Sequence, residues 1–151
     1  MKKLLLLIVL FAVALGAAVF YLDSIAKSAI EKGGTFAAGV DTKVDSASIG
    51  LTAGTFSLSN LTIANPAGYG AEPFFKLGKL ETGVSIGSLQ QEVVEIPKLL
   101  IDGVALRLEA KDGKANYAVI TDNLKRFSSQ GATSEQKSGK KFIIRELVIS
   151  N

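Results

Sequence analysis

The apolar positions of this chain fall into distinct regimes along its length. From Leu4 to Leu22 there are 19 residues without a charge, apolar on every helical face. At ~1.5 Å per residue such a helix spans ~28 Å, close to the ~30 Å hydrocarbon core of a bilayer. Lys2 and Lys3 precede the run. The positive-inside bias then keeps the N-terminus in the cytoplasm and exports the remainder. Leu4, Leu7, Phe11, Leu15, Phe20 and Leu22 are the expected anchor residues, and Tyr21 suits the far interface. The competing reading is a cleaved signal peptide, with Ala12-Val13-Ala14 or Gly16-Ala17-Ala18 supplying the small residues for cleavage. Apolar residues continue past both sites to Leu22, which favours an uncleaved anchor. Both readings place the following domain outside the cytoplasm.

Asp23 to Lys32 continues as a helical stalk, and Gly33-Gly34 is expected to end it. From Thr35 the period changes to two. Phe36, Ala38, Val40, Thr42 and Val44 alternate with small or polar residues, as do Ala47, Ile49, Leu51 and Ala53. Leu80, Thr82, Val84 and Ile86 predict another strand, and Val104, Leu106 and Leu108 one more. Gly54, Asn65-Pro66, Gly68, Gly70, Gly87, Gly103 and Asp112-Gly113 read as turns. Asn116 can cap a helix whose apolar stripe would be Tyr117, Ile120, Leu124 and Phe127. Ser128 to Lys141 lacks large apolar residues and reads as a flexible loop. The expected organisation is therefore an anchor over 1–22, a stalk over 23–34 and a β-rich domain over 35–127. A loop over 128–141 and a final strand over 142–151 follow. Either that strand completes the sheet by returning across the loop, or the 151 residues are the start of something longer.

Three segments share one pattern: 56–65, 94–103 and 142–151, with start-to-start separations of 38 and 48 residues. Each has two alternating apolar residues, a two-residue interruption, two more alternating apolar residues and a turn former. The interruption shifts the alternation by one, so a β-bulge or sharp bend is expected there. Pro97 occupies one interruption, where a missing N–H is tolerable.

Composition narrows the chemistry. The chain has no cysteine, no histidine and no tryptophan. Thiolate chemistry and disulfides are excluded, and the commonest general base and metal ligand are missing. Asp41 and Asp45 flank Lys43 and read as solvated charges rather than a catalytic pair. Gly68-Tyr69-Gly70 has no following lysine and is not a phosphate loop. No nucleophile, cofactor or metal site emerges, so the chain is not expected to be an enzyme. A net charge of +3 is too small and scattered to suggest nucleic acid.

The order of these pieces resembles the N-terminal region of AsmA-like envelope proteins, over nearly the whole chain. The resemblance rests on the anchor and on SLSNLTIANPAGY (Ser57 to Tyr69), within which Asn65-Pro66-x-Gly68-Tyr69 is the most specific. It rests also on Phe74-Phe75, Leu80 to Leu89, EIPKLLIDG (Glu95 to Gly103) and Gly113-Lys-Ala-Asn116 before a helix. It implies an inner-membrane anchor and a periplasmic domain related to bridge-like lipid-transfer proteins, whose sheets form a groove lined with apolar side chains. It also implies a part in phospholipid movement to, and homeostasis of, the outer membrane. At 151 residues the chain is too short to cross a periplasm, so a membrane-proximal module, a subunit or a truncated representative is expected.

The expected fold is mainly β with an N-terminal transmembrane helix: a curved antiparallel sheet with an apolar concave face and one short amphipathic helix. Val84, Ile86, Ile96, Leu99, Ile101, Leu106 and Leu108 are the candidate groove-lining residues. The expected partner is membrane lipid. The alternative is a non-catalytic adaptor that offers Phe142 to Asn151 to an envelope protein by strand addition.

Overall fold

A computed structural model describes residues 21–131 and 140–151. The anchor residues Leu4, Leu7, Phe11, Leu15 and Phe20 lie outside the described residues, as does most of the expected loop. Among the described residues no helix is long and apolar enough to cross a membrane.

The first element, α1, is helical over 21–38. It runs through Gly33-Gly34, where the sequence predicted its end, and takes in Phe36 and Ala38, expected in a strand. Gly34 has a packing role that periodicity does not reveal: a Cβ there would lie 2.7 Å from Thr42 Cγ2. Its bare backbone lets the helix close on the sheet. The helix stops at Gly39, whose N–H donates to the Thr35 carbonyl at 2.9 Å and whose φ is 70°. That is the left-handed residue with which helices commonly end.

The strands that follow are β1 (Thr42–Lys43), β2 (Ser46–Gly50), β3 (Thr55–Ile63) and β4 (Phe75–Gly83). A 3-10 turn, Ile86–Gln90, leads into β5 (Val93–Ile96) and β6 (Leu99–Leu106). A small hairpin of β7 (Ala110–Lys111) and β8 (Lys114–Ala115) precedes α2 (Asn116–Gly131). The chain closes with β9 (Lys141–Ile144) and β10 (Leu147–Ser150). Four expectations are corrected here. Leu51 to Ala53 turn rather than extend, Ile86 begins a 3-10 turn, Gly103 lies inside β6, and residues 128–131 belong to α2.

The main sheet has the order β1-β3-β4-β6-β10, with β2 also on β3. It is mixed rather than antiparallel throughout. β10 lies parallel to β6, and β9 lies parallel to β5 in a separate pair. Parallel neighbours need a long crossover, and the β7–β8 hairpin and α2 lie within it.

The expected break in alternation is present, and its form explains how the sheet tolerates it. Asn60 stands opposite Gly78, and Gly78 opposite Gly103, between the paired residues on either side. Asn60 and Gly103 have φ of 51° and 66°. All three strands reverse their alternation in one row, so pairing register survives. Phe56, Leu58, Leu61 and Ile63 therefore share a face with Leu80, Leu77 and Phe75 on β4, and with Ile101, Val104 and Leu106 on β6. Asn tolerates the left-handed region better than most residues, which suits Asn60. Its Nδ2 donates to the Asp45 carboxylate at 2.8 Å.

α1 packs on this face. Ala26 joins Val44, Ala47, Leu58 and Leu77 in the core, with Ile30, Ile49 and Phe56 against them. Polar groups fix its orientation. The Asp23 carboxylate accepts from Ile49 N–H at 2.9 Å and from the Ser48 hydroxyl at 3.0 Å. Val44 N–H donates to Glu31 Oε1 at 3.1 Å, and Lys27 donates to the Asp45 carbonyl at 3.0 Å.

Candidate functional site

The apolar sheet face is only partly covered. Beneath α1, Leu58 and Leu77 are 8% and 6% exposed. Across the sheet toward β6 and β10 the cover gives out. Leu106, beside Phe75, is 54% exposed, and Val104, beside Leu77, is also exposed. Leu147 and Ile149 pair with Leu99 and Ile101, and Ile149 is 66% exposed. The opposite face is polar over β3 and β4, with Ser57, Ser59, Lys79 and Glu81 among its residues and a 2.8 Å Lys79–Glu81 ion pair, and carries half-buried Leu100 and Val148 on β6 and β10. An apolar strip thus runs over β6 and β10, half-buried at Leu99 and Ile101 and exposed at Val104, Leu106, Leu147 and Ile149.

The predicted lining residues separate into two groups. Leu99, Ile101 and Leu106 are brought together on this strip through the β4–β6 and β6–β10 registers. Val84 follows β4, where its N–H donates to the Gly54 carbonyl at 2.8 Å. Ile86 is exposed on the 3-10 turn, and Ile96 pairs with Ile144 in the separate β5–β9 pair. Leu108 lies past β6, where it and Leu106 border a surface cleft of about 380 Å³ with Pro73, Lys76 and Arg107.

Sequence reasoning missed Val104, Leu147 and Ile149 as strip residues. The signal was available in the repeat. Its second and third copies are 48 residues apart. They pair in parallel residue for residue, Val94 with Phe142 and Leu99 with Leu147. The ladder continues through the interruption: Arg145 N–H donates to the Ile96 carbonyl and Leu99 N–H to the Glu146 carbonyl, both at 2.9 Å. Glu95–Arg145 at 2.5 Å and Lys98–Glu146 at 3.3 Å flank it. The first copy behaves differently. Its row partner across β4 is Leu99–Leu106 rather than Val94–Gly103.

A second constellation joins two segments far apart in sequence. Asn116 is fully buried at the start of α2. Its Nδ2 donates to Asn65 Oδ1 at 3.0 Å and to the Arg107 carbonyl at 2.8 Å. Its Oδ1 accepts from Tyr117 N–H at 2.9 Å and from Glu109 N–H at 3.0 Å. Asn65 Nδ2 in turn donates to Glu109 Oε1 at 3.1 Å, while Gly70 N–H donates to Glu109 Oε2 at 2.7 Å. The Tyr69 hydroxyl reaches the Lys114 carbonyl at 3.1 Å. The Asn65–Gly70 loop and the Gly113–Asn116 segment are thus latched together by satisfied polar groups, an arrangement that rigidifies rather than reacts. Among the described residues no cluster of acidic side chains converges to hold a metal ion.

The AsmA family model matches residues 3–151. The chain belongs to the AsmA family. No curated protein and no solved structure matches it. AsmA membership carries a role in the bacterial cell envelope. The polar latch of this AsmA-family chain unites two of the segments on which the resemblance in sequence rested.

α2 docks differently from its predicted stripe. Ile120 is buried and Asn123 half-buried, but Tyr117 and Leu124 are exposed. The inward face is rotated onto Asn116, Ile120 and Asn123 because Asn123 Nδ2 donates to the Ala38 carbonyl at 2.8 Å. That bond closes the end of α1 against α2. The side chain of Phe127 lies outside the described residues.

Proposed function

We propose that this AsmA-family chain is a periplasmic module, held in the inner membrane by its N-terminal apolar run, that binds phospholipid on its uncovered apolar strip. The observation that carries the reading is the gradient across one sheet face, from buried Leu58 and Leu77 to exposed Leu106 and Ile149. Acyl chains need a continuous apolar surface, and the rows Leu80–Ile101–Ile149 and Phe75–Leu106 supply one. No covalent chemistry is required. The module's part is to give lipid tails a surface that water does not, within envelope and outer-membrane lipid homeostasis. The test is photocrosslinking in full-length protein extracted gently from membranes. A photoreactive residue at Leu106 or Ile149 should capture phospholipid, whereas one at Lys79 on the polar face should not. Equal capture at all three positions, or none at any, would reject the strip as a lipid site.

A specific observation also favours a second reading, an adaptor working through Phe142 to Asn151. β10 is the last strand of the main sheet. Phe142, Leu147 and Ile149 are exposed. A stoichiometric partner recovered with the wild type and lost with Ile149→Lys would support it.

A further inference from the structure

One end of the domain gathers exposed apolar side chains that the strip does not use. It is the end at which the uncharged N-terminal run enters α1. Asp23, the first charge after that run, is bonded to Ser48 and Ile49. Leu51 follows Ile49 by two residues, at most ~7 Å of chain, and lies exposed in the β2–β3 turn. That turn ends at Gly54, where a Cβ would come within 3.0 Å of Ile86 Cγ1. Ile86 opens the 3-10 turn that carries Leu89, and the Lys140 amine donates to the Leu89 carbonyl. Tyr21, Ile25, Leu51, Ile86 and Leu89 are all exposed.

From these juxtapositions we infer that this end is a membrane-docking rim, in which Ile25, Leu51, Ile86 and Leu89 enter the headgroup–acyl boundary of the bilayer holding the anchor. The inference rests on the anchored reading of the proposed function. The occupant follows from where the chain enters. Leu22 closes a 19-residue uncharged run, and Ile25 is three residues further along the same helix, a rise of ~4.5 Å. A side chain at that height stands at the interface, where interfacial elements bury apolar groups ~5–10 Å deep. Tyr21 belongs to the aromatic belt of the same interface. Lys140, next to Leu89, adds a cation that suits anionic headgroups. Ile86 is thus reassigned from groove lining to rim.

The absence of native cysteine makes the test direct. Single cysteines replace Ile25, Leu51, Ile86 or Lys76 in full-length protein. Each carries an environment-sensitive fluorophore, in vesicles of phosphatidylethanolamine and phosphatidylglycerol containing shallow nitroxide lipid. Labels at Ile25, Leu51 and Ile86 should lose about half their emission, because a face ~5–10 Å deep lies within reach of the quencher. The label at Lys76, toward the far end of the sheet, should lose almost none. Equal emission at all four positions, with the protein resistant to alkaline extraction, would overturn the rim and leave the anchor standing. Release of the protein by alkaline extraction would overturn both. Quenching at the rim without lipid capture at Leu106 would support the rim and refute the lipid strip.

Discussion

Replacing Asn116 with alanine isolates what the polar latch contributes. The side chain is fully buried and makes four hydrogen bonds, three of them to backbone groups of Arg107, Glu109 and Tyr117. Each neutral bond contributes roughly 1 kcal/mol net, and a buried partner left unpaired costs about 1–3 kcal/mol. Complete loss would then cost about 4 kcal/mol or more. Water entering the vacated polar space re-satisfies part of it, which brings the expected loss to about 3 kcal/mol. For a domain of this size that lowers Tm by roughly 10 °C. The assay is thermal unfolding of full-length protein in detergent followed by circular dichroism. Asn123→Ala serves as the comparison, since Asn123 is half-buried and bonds the Ala38 carbonyl. It should cost about 1 kcal/mol. Amide exchange should also accelerate over residues 65–70, which the latch holds. If Asn116→Ala and Asn123→Ala lowered Tm by the same few degrees, the latch would not be the coupling element described.

Further outcomes follow from other parts of the fold. Gly103→Ala forces a side chain into a left-handed residue and sets its Cβ 3.3 Å from the Gly78 backbone. A loss of about 1–3 kcal/mol is expected in the same melts, and an unchanged Tm would contradict the strained row. Leu106→Asp alters an exposed side chain, so stability should move by no more than about 0.5 kcal/mol. Co-purified phospholipid, measured by mass spectrometry, should fall; undiminished lipid would count against the strip. Arg145→Ala breaks an ion pair with Glu95 whose side chains are 61% and 38% exposed. Solvent screening limits the effect to less than about 1 kcal/mol, and it should shrink further in high salt.

Much of the strand framework was legible because one-sided burial imposes a period of two, and the reversal at Asn60 showed as two apolar residues three apart. The sequence did not reveal that Gly78 and Gly103 share that row. Gly103 resembles a turn glycine, and only its pairing opposite Gly78 shows that it lies within β6. The end of α1 was misplaced for a similar reason. Two glycines disfavour a helix by about 1 kcal/mol each, but close packing of Gly34 on Thr42 outweighs that propensity. The face of α2 was rotated because its inward side is held partly by amide groups, Asn116 and Asn123, which an apolar-stripe search ignores. The parallel β6–β10 pairing follows the matching apolar spacing inside the second and third copies of the repeat, in which Leu99 and Leu147 each stand five residues after the start. The uncovered strip could not be deduced, because burial depends on where α1 ends its cover.

The parallel register also bears on how this chain tolerates change in length. Side-chain pattern aligns Leu99 with Leu147 and Val94 with Phe142, so the span of chain between them does not set the match. Lengthening a tether raises its closure entropy only logarithmically, by ~0.6 kcal/mol for each doubling. The exposed turn at Asp112-Gly113, which lies within that span, is thus a natural place to graft an epitope or a reporter, with the two copies still finding each other as before.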